Sequence, residues 1–401
     1  MVERELYMSK IRRLIDLDII KVITGVRRCG KSYMLNLIIE ELQKRGINNQ
    51  NIFLINFDSV EYQSIKNSNQ LNDLILELVK DIKGKIYLFF DEIQNVESWE
   101  KSIAAYKIDF DCDIYVTGSN SNLLSGELAT HLTGRYTEIK MYPFSFREFL
   151  DYKESESANL FDEYLKYGGL PFIFQLAPED KLQYLNDLYN SILYKDLIAR
   201  YEIRDINLLE RLILYIMDNI GNTFSAKSIS DYLKHEKFNV SNKTVYNYLT
   251  YLENACLISK VKREDLQGKK LLKIQEKYYV VDHGFNHALL GKKDEDWGRL
   301  LENIVYNEFL RRGYEITVGK VNGYEIDFVC KKPNKTIYVQ VSYILGNDST
   351  IEREFKPLSM IKDNYPKYVI SLDQLDFSRM GIIHLNLLDF LTDYELIMWW
   401  T

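Results

Sequence analysis

Gly25-Val26-Arg27-Arg28-Cys29-Gly30-Lys31-Ser32, followed by Tyr33, is the stretch that decides the fold of this 401-residue chain. It fits the pattern G-x-x-x-x-G-K-[ST] in full. Just before it runs Ile19-Ile20-Lys21-Val22-Ile23-Thr24, a short apolar, β-branched segment that reads as a buried strand. Just after it, Tyr33 to Leu42 repeats apolar residues at helical spacing. Strand, glycine loop and helix in that order are what a phosphate-binding loop requires. Gly25 and Gly30 let successive backbone N–H groups turn inward around phosphate oxygens. The helix N-terminus adds its partial positive charge. Lys31 is placed to reach β- and γ-phosphates, and the Ser32 hydroxyl to ligate Mg²⁺.

Composition fits such a molecule. Hydrophobic residues make up 46% and charged residues 27%, ordinary for a folded protein with several cores. No apolar run approaches a membrane span, and the charged start Met1-Val2-Glu3-Arg4-Glu5 lacks the core of a signal peptide. The expectation is a cytoplasmic protein without membrane contact. Cys29, Cys112, Cys256 and Cys330 are scattered, which argues against a disulfide framework or a zinc site. Cys29 lies inside the loop, so its alkylation is expected to block nucleotide. The net charge of −7 argues against wholesale coating of nucleic acid but permits a local basic patch.

Two further strands follow the first helix. Asn51 to Asp58 is one; Lys85-Ile86-Tyr87-Leu88-Phe89-Phe90-Asp91-Glu92 is the other and ends in two acids. Asp91 is expected to hold Mg²⁺ and Glu92 to act as general base on the attacking water. The next strand, Cys112 to Gly118, runs into Ser119-Asn120-Ser121. Ser119 or Asn120 could sit between γ-phosphate and water, or simply close a turn. Arg135, in Leu132-Thr133-Gly134-Arg135-Tyr136, fits an arginine finger presented to a neighbouring subunit, or a solvated loop arginine.

Taken with Tyr142-Pro143-Phe144-Ser145-Phe146-Arg147-Glu148-Phe149 and Tyr167-Gly168-Gly169-Leu170-Pro171, these motifs resemble the prokaryotic AAA+ family ATPases that carry a C-terminal domain of unknown function, DUF4143. The resemblance covers nearly the whole chain. It implies an α/β P-loop NTPase of AAA+/ASCE type, a parallel sheet in which the catalytic-glutamate strand lies beside the phosphate-loop strand. It also implies ATP with Mg²⁺ as cofactors, since no guanine-reading Asn-Lys-x-Asp stands at a suitable strand end.

Beyond the engine the pattern divides into three. Residues 1–145 form the ATPase core and 146–205 a helical lid, broken at Gly168-Gly169-Leu170-Pro171. Residues 206–280 read as a winged helix: a helix from Ser225, a turn, a helix capped by Ser241 that leaves Asn242, Lys243, Tyr246 and Asn247 outward, then a strand pair. Between Ser225 and Ile274 stand ten Lys/Arg against five Asp/Glu, a surface suited to the phosphates of double-stranded DNA or to a protein. Residues 281–401 match a restriction-endonuclease-like α/β domain of PD-(D/E)XK pattern. Glu302 on a helix and Asp327 on a strand match that pattern, whereas Gln340 replaces the second acid and Ser342 occupies the lysine position. Both departures remove charge, so cleavage is not expected and a scaffold for binding or assembly is.

Three readings follow. The first is an AAA+ ATPase that works on DNA through its C-terminal parts, as a homo-oligomer if Arg135 acts in trans. The second is a nucleotide-gated binding switch with little turnover. The third is an ATP-regulated nuclease.

Overall fold

The computed structural model describes residues 2–119, 134–155, 157, 159–268, 270–291 and 297–396. The chain divides into two compact units, Met1–Tyr142 with Asn254–Cys256, and Pro143–Glu253 with Leu257–Thr401. No helix among the described residues is long and apolar enough to cross a membrane.

The first unit is an α/β layer around five parallel strands: β1 (Ile20–Thr24), β2 (Ile52–Asn56), β3 (Ile86–Asp91), β4 (Cys112–Gly118) and β5 (Tyr136–Lys140). Their order is β2-β3-β4-β1-β5. Strands β1, β3 and β4 are buried at every position, as unbroken apolar runs in a parallel sheet should be. Ile20, Val22, Leu88, Phe90, Ile114 and Val116 share one core cluster with Leu71 and Ile75 of helix Ser68–Val79 and Ile103 of helix Trp99–Asp109.

The strand order corrects one expectation. β3, with the two acids, is not beside β1: β4 pairs with both and lies between them. The consequence is chemical, because the end of β4 then stands between the phosphate loop and the acids.

The second unit is built on an eight-stranded mixed sheet of order β13-β12-β11-β10-β9-β7-β8-β6. Its strands are β6 (Thr223–Phe224), β7 (Ile258–Asp265), β8 (Lys270–Val280), β9 (Glu315–Val321), β10 (Tyr324–Lys332), β11 (Lys335–Val341), β12 (Lys367–Ser371) and β13 (Ile382–Asn386). The helices Ala226–His235 and Asn242–Asn254 precede the β7–β8 hairpin. The first starts in a capping box from Ser225, and the second is capped by the Ser241 hydroxyl, which accepts from Thr244 N at 3.1 Å. Asn242, Lys243, Tyr246 and Asn247 are exposed on the second helix. β7 pairs in parallel with β9 through Arg263↔Val318, so the sheet runs unbroken across residue 280, where sequence suggested a boundary.

The Gly168-Gly169-Leu170-Pro171 break has a local cause. Helix Asn159–Tyr167 ends at Gly168, whose φ of 77° is left-handed. The buried Asp282 carboxylate accepts from Gly169 N and Gly284 N, each at 2.8 Å. A Cβ on Gly168 would lie 1.8 Å from Asp282 Oδ1. Pro171 opens a short 3-10 turn, Pro171–Gln175. Beside this knot, the buried His283 ring donates from Nε2 to the Tyr164 carbonyl at 2.7 Å.

Gly168→Ala should therefore destabilise the second unit by more than about 3 kcal/mol, because the added methyl meets a carboxylate on a strained backbone; denaturant unfolding measures it. A second expectation concerns acid. Burial lowers the His283 pKa from 6.5 to about 4, so the folded chain keeps it neutral where the unfolded chain is protonated. Stability from this residue is present above pH 6.5 and lost as pH falls toward 4. His283→Gln should thus gain on the wild type by up to about 3 kcal/mol as pH falls through that window, in paired melts across pH.

Candidate functional site

β1 delivers the chain into the loop at Gly25. Its φ is 148°, and a Cβ there would sit 2.4 Å from the Met141 carbonyl oxygen and 2.9 Å from Cys29 Sγ. Gly30, at φ 103°, turns the chain into helix Lys31–Lys44. Cys29 N donates to Val26 O at 3.2 Å, which tightens the loop, and Met34 N to Gly30 O at 3.0 Å begins the helical ladder. The first-turn amides ahead of Met34 therefore point out of the helix end, where the dipole favours an anion. Val26 and Cys29 are buried inside the loop; Arg28 and Ser32 are exposed, and Arg27 and Tyr33 half-buried.

The Lys31 ammonium, nearly buried, donates to the carbonyls of Gly25 at 3.1 Å and Val26 at 3.2 Å. It also lies 3.9 Å from Glu92 Oε1. Loop lysine and second acid thus face each other across one site. Asp91 ends β3 buried, and Glu92 follows in a left-handed turn, φ 54°. Between them and the loop stands Thr117 on β4. Its hydroxyl donates to Asp91 Oδ1 and accepts from Glu92 N at 3.0 Å. The Gln94 amide donates to Glu92 Oε2. Hydroxyl, carboxylates and ammonium fit a phosphate chain with its divalent ion, for which Ser32 and Asp91 would offer oxygens and Lys31 charge.

A family profile described as "AAA domain" matches residues 18–150. An uncharacterized protein of Haemophilus influenzae is 43% identical over 392 residues, spanning 96% of this chain and 97% of that one. An uncharacterized protein of Methanocaldococcus jannaschii is 34% identical over 406 residues, spanning 95% and 87%. Residues 18–150 are an AAA domain, and the whole chain is of one family with these two proteins. Residues 158–296 match a domain of unknown function, DUF8612, where the sequence motifs had pointed to DUF4143. Among solved structures, the Aeropyrum pernix ORC1 protein in complex with DNA is similar at 11% identity and TM-score 0.33, over 72% of this chain and 92% of that one. Cdc6p from Pyrobaculum aerophilum is similar at 12% identity and TM-score 0.31, over 76% and 94%. Overlaps that loose carry no functional weight.

Within the AAA domain, Ser119 lies one residue past β4 and is buried; Asn120 falls outside the described residues. Thr117 is the polar group that touches both acids, and sequence reasoning passed over it. Alternation along β4 puts it on the same face as Ser119, the one signal that could have found it. Arg135 is exposed, and its carbonyl accepts from Ile20 N at 2.8 Å, at the start of β1. The phosphate loop leaves the other end of β1, about 17 Å along the strand. Arg135 therefore lies at the end of β1 away from its own chain's phosphate loop.

Arg4 was also missed. It is buried at 2% exposure, donating from Nη1 to Cys29 O at 3.0 Å and from Nη2 to Tyr142 O at 2.8 Å. One guanidinium so ties the phosphate loop to the chain beyond β5. Cys29 is fully buried, and burial raises its thiol pKa, so the thiolate that alkylation needs is disfavoured.

Of the four nuclease-pattern positions, Glu302 and Asp327 meet in the second unit at a group that sequence did not flag, and Gln340 is bonded to Asp327. Lys277 on β8 reaches Glu302 Oε1 at 2.9 Å, Glu325 Oε1 at 2.8 Å and Asp327 Oδ1 at 3.8 Å. Burial works to lower its pKa, but the carboxylates of Glu302, Asp327 and Glu325 outweigh this and hold it above the ordinary lysine value. Burial and the neighbouring Glu302 push the Asp327 carboxyl well up, against Lys277. A register shift in β10 between Ile326 and Val329 frees Asp327 from the ladder. Its N–H donates to Gln340 Oε1 at 2.7 Å, and its Oδ2 accepts from Val341 N at 2.9 Å. Gln340 Nε2 donates to Glu354 Oε2 at 3.0 Å, and the Ser342 hydroxyl turns to Ile344 O at 3.4 Å.

Arg4→Met should weaken nucleotide binding roughly tenfold while altering turnover at saturation far less, with Arg4→Lys recovering only part, because one ammonium cannot span both carbonyls. Titration with a fluorescent ATP analogue beside steady-state kinetics separates the two effects.

Proposed function

We propose that this chain binds ATP with Mg²⁺ and hydrolyses it, and that hydrolysis drives its C-terminal half against a partner. The observation that carries the reading is the convergence of Lys31, Asp91 and Glu92 on one site, with Thr117 bonded to both acids. Bound Mg²⁺ would neutralise charge on the phosphates. The loop amides and Lys31 would hold the β- and γ-phosphates, and Ser32 and Asp91 the ion. Glu92 would take the proton from the attacking water, its orientation fixed by Gln94 and by the Thr117 bond to its backbone. Ser119 or Asn120 would sense the γ-phosphate beside Thr117.

Arg135 supports an oligomer. Placed at the sheet end away from its own loop, it is suited to meet the phosphate of a second copy. In this reading residues 146–205 act as the lid, 206–280 as a winged helix and 281–401 as a nuclease-like scaffold. The exposed Asn242, Lys243, Tyr246 and Asn247, with Lys227, Lys234 and Lys237 exposed nearby, favour double-stranded DNA as the partner.

Steady-state ATP hydrolysis with Mg²⁺ across protein concentrations, with and without DNA, tests this. Glu92→Gln should bind ATP yet turn over at least about a hundredfold more slowly. Arg135→Ala should abolish the rise of specific activity with protein concentration. Turnover unchanged in Glu92→Gln would remove that residue as base. Activity indifferent to DNA would leave a protein as the partner of the C-terminal half.

A further inference from the structure

The carboxylates around Lys277 are arranged as a cage. Glu302 comes from helix Trp297–Arg311, Glu325 and Asp327 from β10, and the ammonium enters from β8. Lys277 is 3% exposed, Glu302 12% and Asp327 14%, so solvent screens these charges poorly. Tyr279 adds a hydroxyl that donates to the same Glu302 oxygen. Arg263 lies 3.5 Å from Glu325 on its other side. Without Lys277, two buried carboxylates would face each other with no cation between them.

The neighbouring positions are committed elsewhere. The two ends of the Gln340 amide are bonded to Asp327 N and Glu354, and the Ser342 hydroxyl to a carbonyl. With Lys277 in place, no group of three or more His, Cys, Asp or Glu side chains among the described residues is arranged to hold a metal ion. A point charge on a flexible stem, by contrast, reaches all three acids at once.

We propose that Lys277 is a built-in counter-ion that occupies the place of a divalent cation among Glu302, Glu325 and Asp327, and that removing its ammonium opens the cage to such a cation. The second unit thus keeps its acids without recruiting metal. In Lys277→Met the acids lose their cation and repel. A divalent or trivalent ion then binds, and the stability lost returns as it does so.

The test uses the full chain without nucleotide, titrated with Tb³⁺ and competed with Mn²⁺. Tyr279, bonded to Glu302, is positioned to sensitise terbium emission. Wild type is expected to give no Mn²⁺-competed emission and no Mn²⁺-dependent rise in melting temperature. Lys277→Met should give both, and Lys277→Met/Asp327→Asn should lose both. Lys277→Gln is the milder variant should the methionine chain fold poorly. Emission from wild type that Asp327→Asn abolishes would overturn the proposal, as would Mn²⁺-dependent nicking of plasmid by wild type that the same substitution removes. Folded variants that bind no ion would overturn it too, as would failure of both variants to fold even in millimolar Mn²⁺.

Discussion

The phosphate loop depends on the close approach of two backbones. β5 ends beside β1, and the Met141 carbonyl arrives where the first side-chain carbon of any residue other than glycine would stand at position 25. Met141 N in turn donates to Thr24 O at 2.8 Å, so the approach is fixed by the sheet itself. Everything downstream inherits that geometry. The loop is narrow enough for the Lys31 ammonium to fold back onto its carbonyls, and Arg4 closes it from outside through Cys29 and Tyr142. A local glycine requirement thus stems from a non-local contact.

The sheet order does the second part of the positioning. With β4 between β1 and β3, a threonine hydroxyl stands on the loop side of the acids and is shared by Asp91 and Glu92. A hydroxyl can donate and accept at once, which is what the pairing of a carboxylate with an amide asks of it. Valine of similar shape would fill the space and satisfy neither. The first unit therefore couples the Mg²⁺-ligand candidate and the base candidate through one small side chain.

Gly25 to Ser32, and Asp91 with Glu92, were legible in the sequence because each is a short run whose spacing states its own chemistry. The helices Ala226–His235 and Asn242–Asn254 were legible through their caps and stripes. What escaped was set by partners far along the chain. Arg4 acts on residues 25 and 138 positions away, and Lys277 meets Glu302 from 25 positions before it. Neither carries a local pattern, and a charged residue in an amphipathic stretch reads as solvated. The Gln340 and Ser342 departures were visible, but not that a cation would arrive from another strand. The place of β4 was inferred from the resemblance and not from the residues, since apolar parallel strands look alike and only pairing orders them.

The hairpin β7–β8 has its two neighbours in the ladder, β9 on one side and β6 on the other. Its β8 strand also supplies the lysine that pins helix Trp297–Arg311 and β10. A hairpin held at both edges and cross-linked by charge should resist swinging alone. Mechanically such a hairpin should act as a stiff arm: a push on it would load its neighbours β9 and β6 as shear instead of turning it about a hinge.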